Sequence, residues 1–232
     1  EWDWQKEVEQ LASADVIVSI QQDDAVILKQ MTPHAEVINA PMSAVYQPHT
    51  VDEQIEGRCV FIASDIEPNV NGLQWLLEAV WPEVLRANPS TTLHVCGSVC
   101  SQFRQTYHNV RFLGRIDDLA PEYGAAEVCL LPLRTGSGLK IKLVEALSHG
   151  RACVSTAVGV QGMGQLTDKA VLVADKPEDF AQAMLTVLQH PEKRKTMEAY
   201  ARTYVVGHLA PETVYQPLVD WIHQHIQQSN PL

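Results

Sequence analysis

At 232 residues the chain is long enough for one full domain and part of a second. Apolar residues make up 46% and charged ones 19%, a composition that excludes a disordered chain. The formal net charge of −11 argues against nucleic acid or anionic lipid as a partner. In chain order, Trp4, Val8 and Leu11 recur at helical spacing, residues 15–20 form a short β-branched run, 25–31 turn helical and 35–39 form a second run. This predicts a βαβ fragment over 1–41. Residues 42–57 lack periodicity and contain Pro48, so they read as a linker.

From residue 58 strands and helices alternate. Strands are predicted over 58–64, 92–97, 110–114, 128–132, 152–156 and 171–174, mostly apolar along their whole length, as strands buried on both faces are. Helices are predicted over 72–87, 119–126, 139–148, 177–189 and 191–205. The alternation predicts an α/β domain over 58–206, a Rossmann-like parallel sheet with helices on both faces. A last helix over 213–228, in the segment 207–232, carries Val214, Leu218, Trp221, Ile222 and His225 as one stripe. Its cover is either this chain's own sheet or a neighbouring domain.

The five cysteines, Cys59, Cys96, Cys100, Cys129 and Cys153, are odd in number and sit mostly in apolar runs, which reads as reduced and cytoplasmic. Cys96 and Cys100 lack a second ligand pair, so no metal is expected. No apolar stretch reaches the length of a membrane span, and residues 1–4 do not resemble a signal peptide. The helical pattern starts abruptly, and a chain cut from a longer one is expected.

In an open parallel sheet ligands collect beyond the carboxyl ends of the strands. The loops expected there contain Asn69, then Gly97 and Ser98, then Gly114 and Arg115, and then the run Arg134, Thr135, Gly136, Ser137, Gly138, Leu139 and Lys140. Glycines allow close backbone approach, and the helix that follows presents free N–H groups and a positive dipole end, a combination suited to phosphate. Lys140 is predicted in the first helical turn, where a cation opposes the dipole unless an anion answers it. From residue 128 to 167 the only acidic residue is Glu145, against Arg134, Lys140, Lys142 and Arg151, a cationic island on an acidic chain. Lys142 and Glu145, three apart, share a helix face; alone they would be an ordinary ion pair, but they adjoin the glycine loop. A dinucleotide fingerprint would need a third glycine where Ile141 stands and a place after the first strand, so an NAD enzyme is disfavoured.

The stretch 58–163 resembles the C-terminal domain of the "group 1" GT-B glycosyltransferases. The matching pieces are Phe61-Ile62-Ala63-Ser64, Pro68-Asn69, Trp81-Pro82, Leu93-His94-Val95-Cys96-Gly97, Val110-Arg111-Phe112-Leu113-Gly114 and Leu130-Leu131-Pro132-Leu133, then 136–146 and 150–162. The resemblance implies a retaining transfer of a hexosyl group from a nucleoside diphosphate sugar to a saccharide or lipid-linked acceptor, without cofactor or metal. It implies that 136–142 hold the diphosphate, that Glu145 binds the ribose hydroxyls and that the loop after Gly114 receives the base. Segment 1–41 would be the remnant of the acceptor-side N-terminal domain, and 207–232 would pack back toward it. Many members carry two glutamates eight positions apart, and Ser137 stands at the first of these. That substitution bears on the contact to the transferred sugar, and the family's N-terminal domain, which supplies the acceptor pocket and much of the cleft, is nearly all missing, so donor binding with little or no turnover is expected, in the cytoplasm, with peripheral contact to the inner membrane face left open. A non-hydrolysing epimerase of the same plan and a non-catalytic nucleotide-sugar-binding module are the alternatives.

Overall fold

The computed structural model describes residues 3–48 and 54–229. They form two compact units, one gathering the described residues up to Val45 with those from Gly207 onward, the other running from Tyr46 to Val206.

The first unit opens with α1 (Trp4–Leu11), capped by the Asp3 carboxylate, which accepts from the amides of Gln5 and Lys6 at 3.0 and 3.4 Å. A βαβ element follows: β1 (Val16–Ser19), α2 (Gln22–Met31) and β2 (Glu36–Asn39), with the strands parallel and Val16 opposite Glu36. Its core is Ile17, Ala25, Met31, Ala35 and Ile38. α2 starts three residues before the predicted helix, because Asp23 and Asp24 in the first turn favour the positive end of the helix dipole.

The second unit is a six-stranded, all-parallel sheet. Its strands are β3 (Arg58–Ile62), β4 (Thr92–Cys96), β5 (Val110–Gly114), β6 (Val128–Leu131), β7 (Cys153–Ser155) and β8 (Val171–Val173), in spatial order β5-β4-β3-β6-β7-β8. After β3 comes α3 (Glu67–Trp75), a π turn (Leu76–Val80) and α4 (Trp81–Ala87). α5 (Ala120–Ala125) precedes β6, α6 (Ile141–Ser148) joins β6 to β7, and α7 (Pro177–Gln189) and α8 (Pro191–Tyr204) follow β8. Alternate strand residues face opposite layers. Cys59, Phe61, Leu93, Val95, Val128, Leu130 and Val154 pack with Leu73, Leu77, Trp81, Phe180 and Met184 of α3, the π turn, α4 and α7. α5 and α6 lie against β3, β6 and β7. The two sets of connections therefore cover opposite faces, as expected for right-handed crossovers that run outward both ways from the centre.

Two further predicted boundaries shift in the helices after β3 and β6. The helix expected to begin at Gly72 begins at Glu67, because Pro68 falls in its first turn, where no amide bond is needed and the ring presets the backbone. The helix expected from Leu139 begins at Ile141, so Lys140 is its N-cap residue rather than a member of its first turn. The last helix, α9 (Pro211–Ser229), belongs to the first unit, where Ser43 Oγ lies 3.3 Å from the Tyr215 hydroxyl. Of its predicted stripe only Val214 is buried; Leu218 and Trp221 are half-buried, and Ile222 and His225 are exposed. Among the described residues no helix is long and apolar enough to cross a membrane.

Gly97 closes β4 with φ of +102°, a conformation side chains disfavour, and a Cβ there would stand 2.0 Å from the Ala63 carbonyl oxygen. Gly97→Ala should destabilise the unit by about 2–5 kcal/mol, combining backbone strain with overpacking. The midpoint and slope of urea unfolding check this; an unchanged midpoint would mean that the β3 and β4 ends are not packed together in solution.

Candidate active site

From β3 the chain winds outward through β4 to β5, then returns across β3 to build β6, β7 and β8 on the other side. The connections leaving β3 and β6 thus diverge, which opens a crevice at the carboxyl ends of these two neighbours. Both loops around it are built by specific bonds.

The short turn after β3 is held from below by Asn69, 4% exposed, whose amide donates to the Ser64 carbonyl at 3.0 Å and hydroxyl at 3.1 Å. It is held from the side by Ser98, whose Oγ accepts from the Asp65 amide at 3.1 Å and donates to the Asp65 carboxylate at 2.8 Å. Asn69 and Ser98 therefore commit these groups to shaping the turn. The Gly97 amide donates to the Gly114 carbonyl at 2.6 Å, which joins the β4 and β5 ends, and Arg115 is exposed just beyond.

The loop after β6 approaches α3 so closely that a Cβ on Gly72 would lie 2.6 Å from the Pro132 carbonyl oxygen. Thr156, at the end of β7, donates its hydroxyl to the Leu133 carbonyl and accepts from the Gly159 amide at 3.2 Å. Beyond this brace Gly136 and Gly138 adopt φ of +123° and +80°, which supplies the physical reason for both glycines. Among the described residues none accepts a hydrogen bond from the consecutive amides of Gly136, Ser137, Gly138, Leu139 and Lys140. These free donors lead directly into the N-terminus of α6.

The cations divide in a way the charge count did not anticipate. Arg151 is 5% exposed and paired with Glu198 at 3.6 Å, so it drops out of the island. Lys140 is 6% exposed, and its ammonium donates to the Ser137 carbonyl at 3.3 Å, reinforcing the turn from within; burial lowers its pKa. Lys142 is half-buried; burial lowers its pKa, and the nearby Glu145 carboxylate partly opposes this. Lys142 and Glu145 make no ion-pair contact within 4 Å among the described residues, so they are not the ordinary salt bridge their spacing permits. Glu145 instead lies near the Tyr123 hydroxyl, whose pKa its negative charge helps to raise. Tyr123 is buried and stacks on His149 with centroids 4.4 Å apart, and burial raises its pKa well above the ordinary value.

A family model described as "Glycosyl transferases group 1" matches residues 56–190. The chain belongs to this family. An "uncharacterized 44.6 kDa protein in cps region" of Klebsiella pneumoniae is 20% identical over 171 residues, which cover 68% of this chain and 44% of that protein. Among solved structures, sucrose-phosphate synthase from Thermosynechococcus elongatus matches with a TM-score of 0.71 at 18% identity, covering 97% of this chain and 62% of that one. Anabaena HepE, in complex with UDP and glucose, matches with a TM-score of 0.73 at 13% identity, covering 95% and 66%. The chain thus spans between 44% and 66% of the length of these relatives. The shared fold is the helix-flanked parallel sheet of GT-B glycosyltransferases.

Within this group 1 glycosyltransferase chain, the braces were invisible to sequence reasoning. Thr156, Tyr123 and Asp175 act on residues 18 to 23 positions away, and no local periodicity marks them. The only available signal was their place at strand and helix ends flanking the glycine loop. Among the described residues no group of three or more His, Cys, Asp or Glu side chains is arranged to hold a metal ion. All five cysteines are free thiols, and burial raises Cys96 to a pKa of about 12. Grooves of about 470 Å³, beside Gln74 and Tyr107, and about 690 Å³, beside Trp221, include none of the loop residues above.

Thr156→Val, which keeps the shape and removes the hydroxyl, should leave the Leu133 carbonyl and the Gly159 amide short of a partner. The expected loss is about 1–3 kcal/mol in chemical unfolding. A stability equal to wild type would remove the Thr156 brace from the account of the loop.

Proposed function

We propose that this chain carries the nucleotide-sugar-binding, C-terminal half of a retaining GT-B glycosyltransferase that moves a hexosyl group from a nucleoside diphosphate sugar to a saccharide or lipid-linked acceptor. One observation carries the reading: five consecutive amides with no acceptor among the described residues stand at the switch point of the sheet, immediately before α6 and beside two lysines. Such an array is a ready anion site, with the helix dipole and the cations adding to the amide donors. A diphosphate is the anion that also gives Glu145, one turn further on, a plausible partner in the ribose diol, since one carboxylate accepts from both vicinal hydroxyls.

In this reading Gly136, Ser137, Gly138 and Leu139 offer amides to the diphosphate, and Lys140 strengthens the field from beneath the turn. Lys142 neutralises the diphosphate as it leaves, which is the main electrostatic task when a glycosidic bond of the donor breaks. The turn after β3, shaped by Asn69 and Ser98, and the Gly97 and Arg115 segments form the opposite wall. UDP in the Anabaena HepE complex supports the ligand class, and the cps region of the Klebsiella relative supports a role in cell-envelope polysaccharide. The acceptor pocket belongs to the part of the relatives that this chain does not span, so we assign it donor binding with little turnover alone. No cofactor or metal enters the scheme, and we place the protein in the cytoplasm with access to the inner membrane face.

A melting-temperature screen of the chain with nucleoside diphosphates and their sugars tests this, because a ligand that binds only the folded state raises its stability. At least one diphosphate should stabilise wild type. Lys142→Ala and Glu145→Ala should each weaken binding roughly tenfold or more, the scale of a lost charged hydrogen bond. The Glu145 loss should vanish for the 2′,3′-dideoxy ligand. Shifts unchanged in both variants would place the site elsewhere.

A further inference from the structure

Arg134 begins the glycine loop, and its charge is already engaged by the protein. Its guanidinium donates from Nη1 to the Asp175 carbonyl at 2.7 Å and lies over the Trp75 ring at 4.9 Å from the centroid. Each contact leads to something rigid. Trp75 meets Phe180 edge-on at 5.3 Å and 86°, and Phe180 is fully buried in the core under the sheet. Asp175 accepts from the Ala157 amide at 2.9 Å through its carboxylate, so the segment after β8 is bound to the segment after β7. Thr156, next in the chain, holds the Leu133 carbonyl. Arg134 thus closes a ring of contacts through β6, β7, β8, α3 and α7 at the point where the loop departs. Beyond it, among the described residues, two hydrogen bonds reach the segment from Thr135 to Leu139, from the Lys140 ammonium to the Ser137 carbonyl at 3.3 Å and from the Ile141 amide to the Leu139 carbonyl at 3.1 Å, and none holds Thr135 or Gly136.

We propose that Arg134 is a positioning residue: a latch that fixes the first residue of the glycine loop so that the amides after it are presented to a diphosphate without further ordering. The inference rests on the donor-binding reading above. Its physical basis is entropic. Fixing the backbone of a free residue costs about 1–2 kcal/mol, and a loop ordered before the ligand arrives does not incur that loss on binding. A cation over an aromatic face plus one charge-assisted bond to a carbonyl suffices to hold such a turn while leaving Arg134 exposed.

Calorimetric titration of the full chain with UDP, GDP and ADP, and with uridine, guanosine and adenosine, tests the latch. Arg134→Met should weaken the preferred diphosphate by about tenfold, the scale of one charged hydrogen bond, and leave the matching nucleoside and the ligand-free melting temperature unchanged. Arg134→Lys keeps a cation and a donor and should recover most of the loss. Trp75→Leu keeps the Arg134 charge yet removes its platform, so it should weaken the diphosphate too, and the double variant should be no weaker than Arg134→Met alone. Where leucine unfolds the chain, Trp75→Phe replaces it and should give a smaller loss in the same direction. Wild-type affinity in Arg134→Met, an equal loss for nucleoside and diphosphate, or multiplied losses in the double variant would overturn the latch. A wild type that binds none of the three diphosphates would overturn the donor reading itself, and the latch with it.

Discussion

Backbone amides without acceptors are tolerated only where water or a ligand reaches them, because a buried orphan donor costs about 1–3 kcal/mol. Among the described residues, the run from Gly136 to Lys140 concentrates five such groups at one turn, and most of the surrounding architecture serves to keep them there. Two residues of that turn need positive φ and are glycine. The winding direction of the sheet switches between β3 and β6, beside that turn. Gly72 lets α3 approach the Pro132 carbonyl, and Thr156 holds the Leu133 carbonyl from the other side. The geometry of the loop is thus a property of the whole sheet end and not of its own residues alone.

Electrostatics follow the same division between local and distant causes. The chain carries a net −11, yet the N-cap and the first turn of α6 hold one lysine each, Lys140 and Lys142, with the Glu145 carboxylate nearby. Elsewhere the buried charges are matched within the protein. Arg194 meets Glu127 at 2.7 Å, and Glu127 also accepts from the Gly57 amide at 2.7 Å. Arg151 shares Glu198 with the Gln54 amide, which donates at 2.7 Å. Burial raises the pKa of both glutamates, and their arginine partners only partly offset it. Pairs of this kind fix conformation more than they add stability. Among the described residues Lys142 has no such ion-pair partner, which separates it from the structural arginines.

The sheet was legible in the sequence because its strands are buried on both faces and read as unbroken apolar runs: 128–131 is Val-Cys-Leu-Leu, wholly buried. The glycine loop was legible because its two glycines precede a helix. The misreadings share a cause. Pro68 hid the first turn of α3, since proline signals a break unless its position within the helix is known. Arg151 was counted with the loop cations because sequence distance stood in for spatial distance, whereas its partner Glu198 lies 47 positions away. In α9 the helical period groups Val214, Leu218, Trp221, Ile222 and His225, yet only Val214 is buried, because the period does not specify how far along a helix the cover extends.

The two lysines illustrate how far spacing can carry a functional argument and where geometry must take over. Lys140 and Lys142 are near neighbours in a cationic segment, and composition treats them alike. In the fold Lys140 occupies the N-cap position, turns under the loop and donates to the Ser137 carbonyl, so its charge acts through the turn it supports. Lys142 lies on the first turn of α6, on the face it shares with Glu145, where a carboxylate it does not touch partly opposes its desolvation. An ammonium held near a negative group but not neutralised by it is stabilised further by an arriving anion. Under the proposed donor-binding function, that asymmetry gives loop support to Lys140 and response to a leaving diphosphate to Lys142.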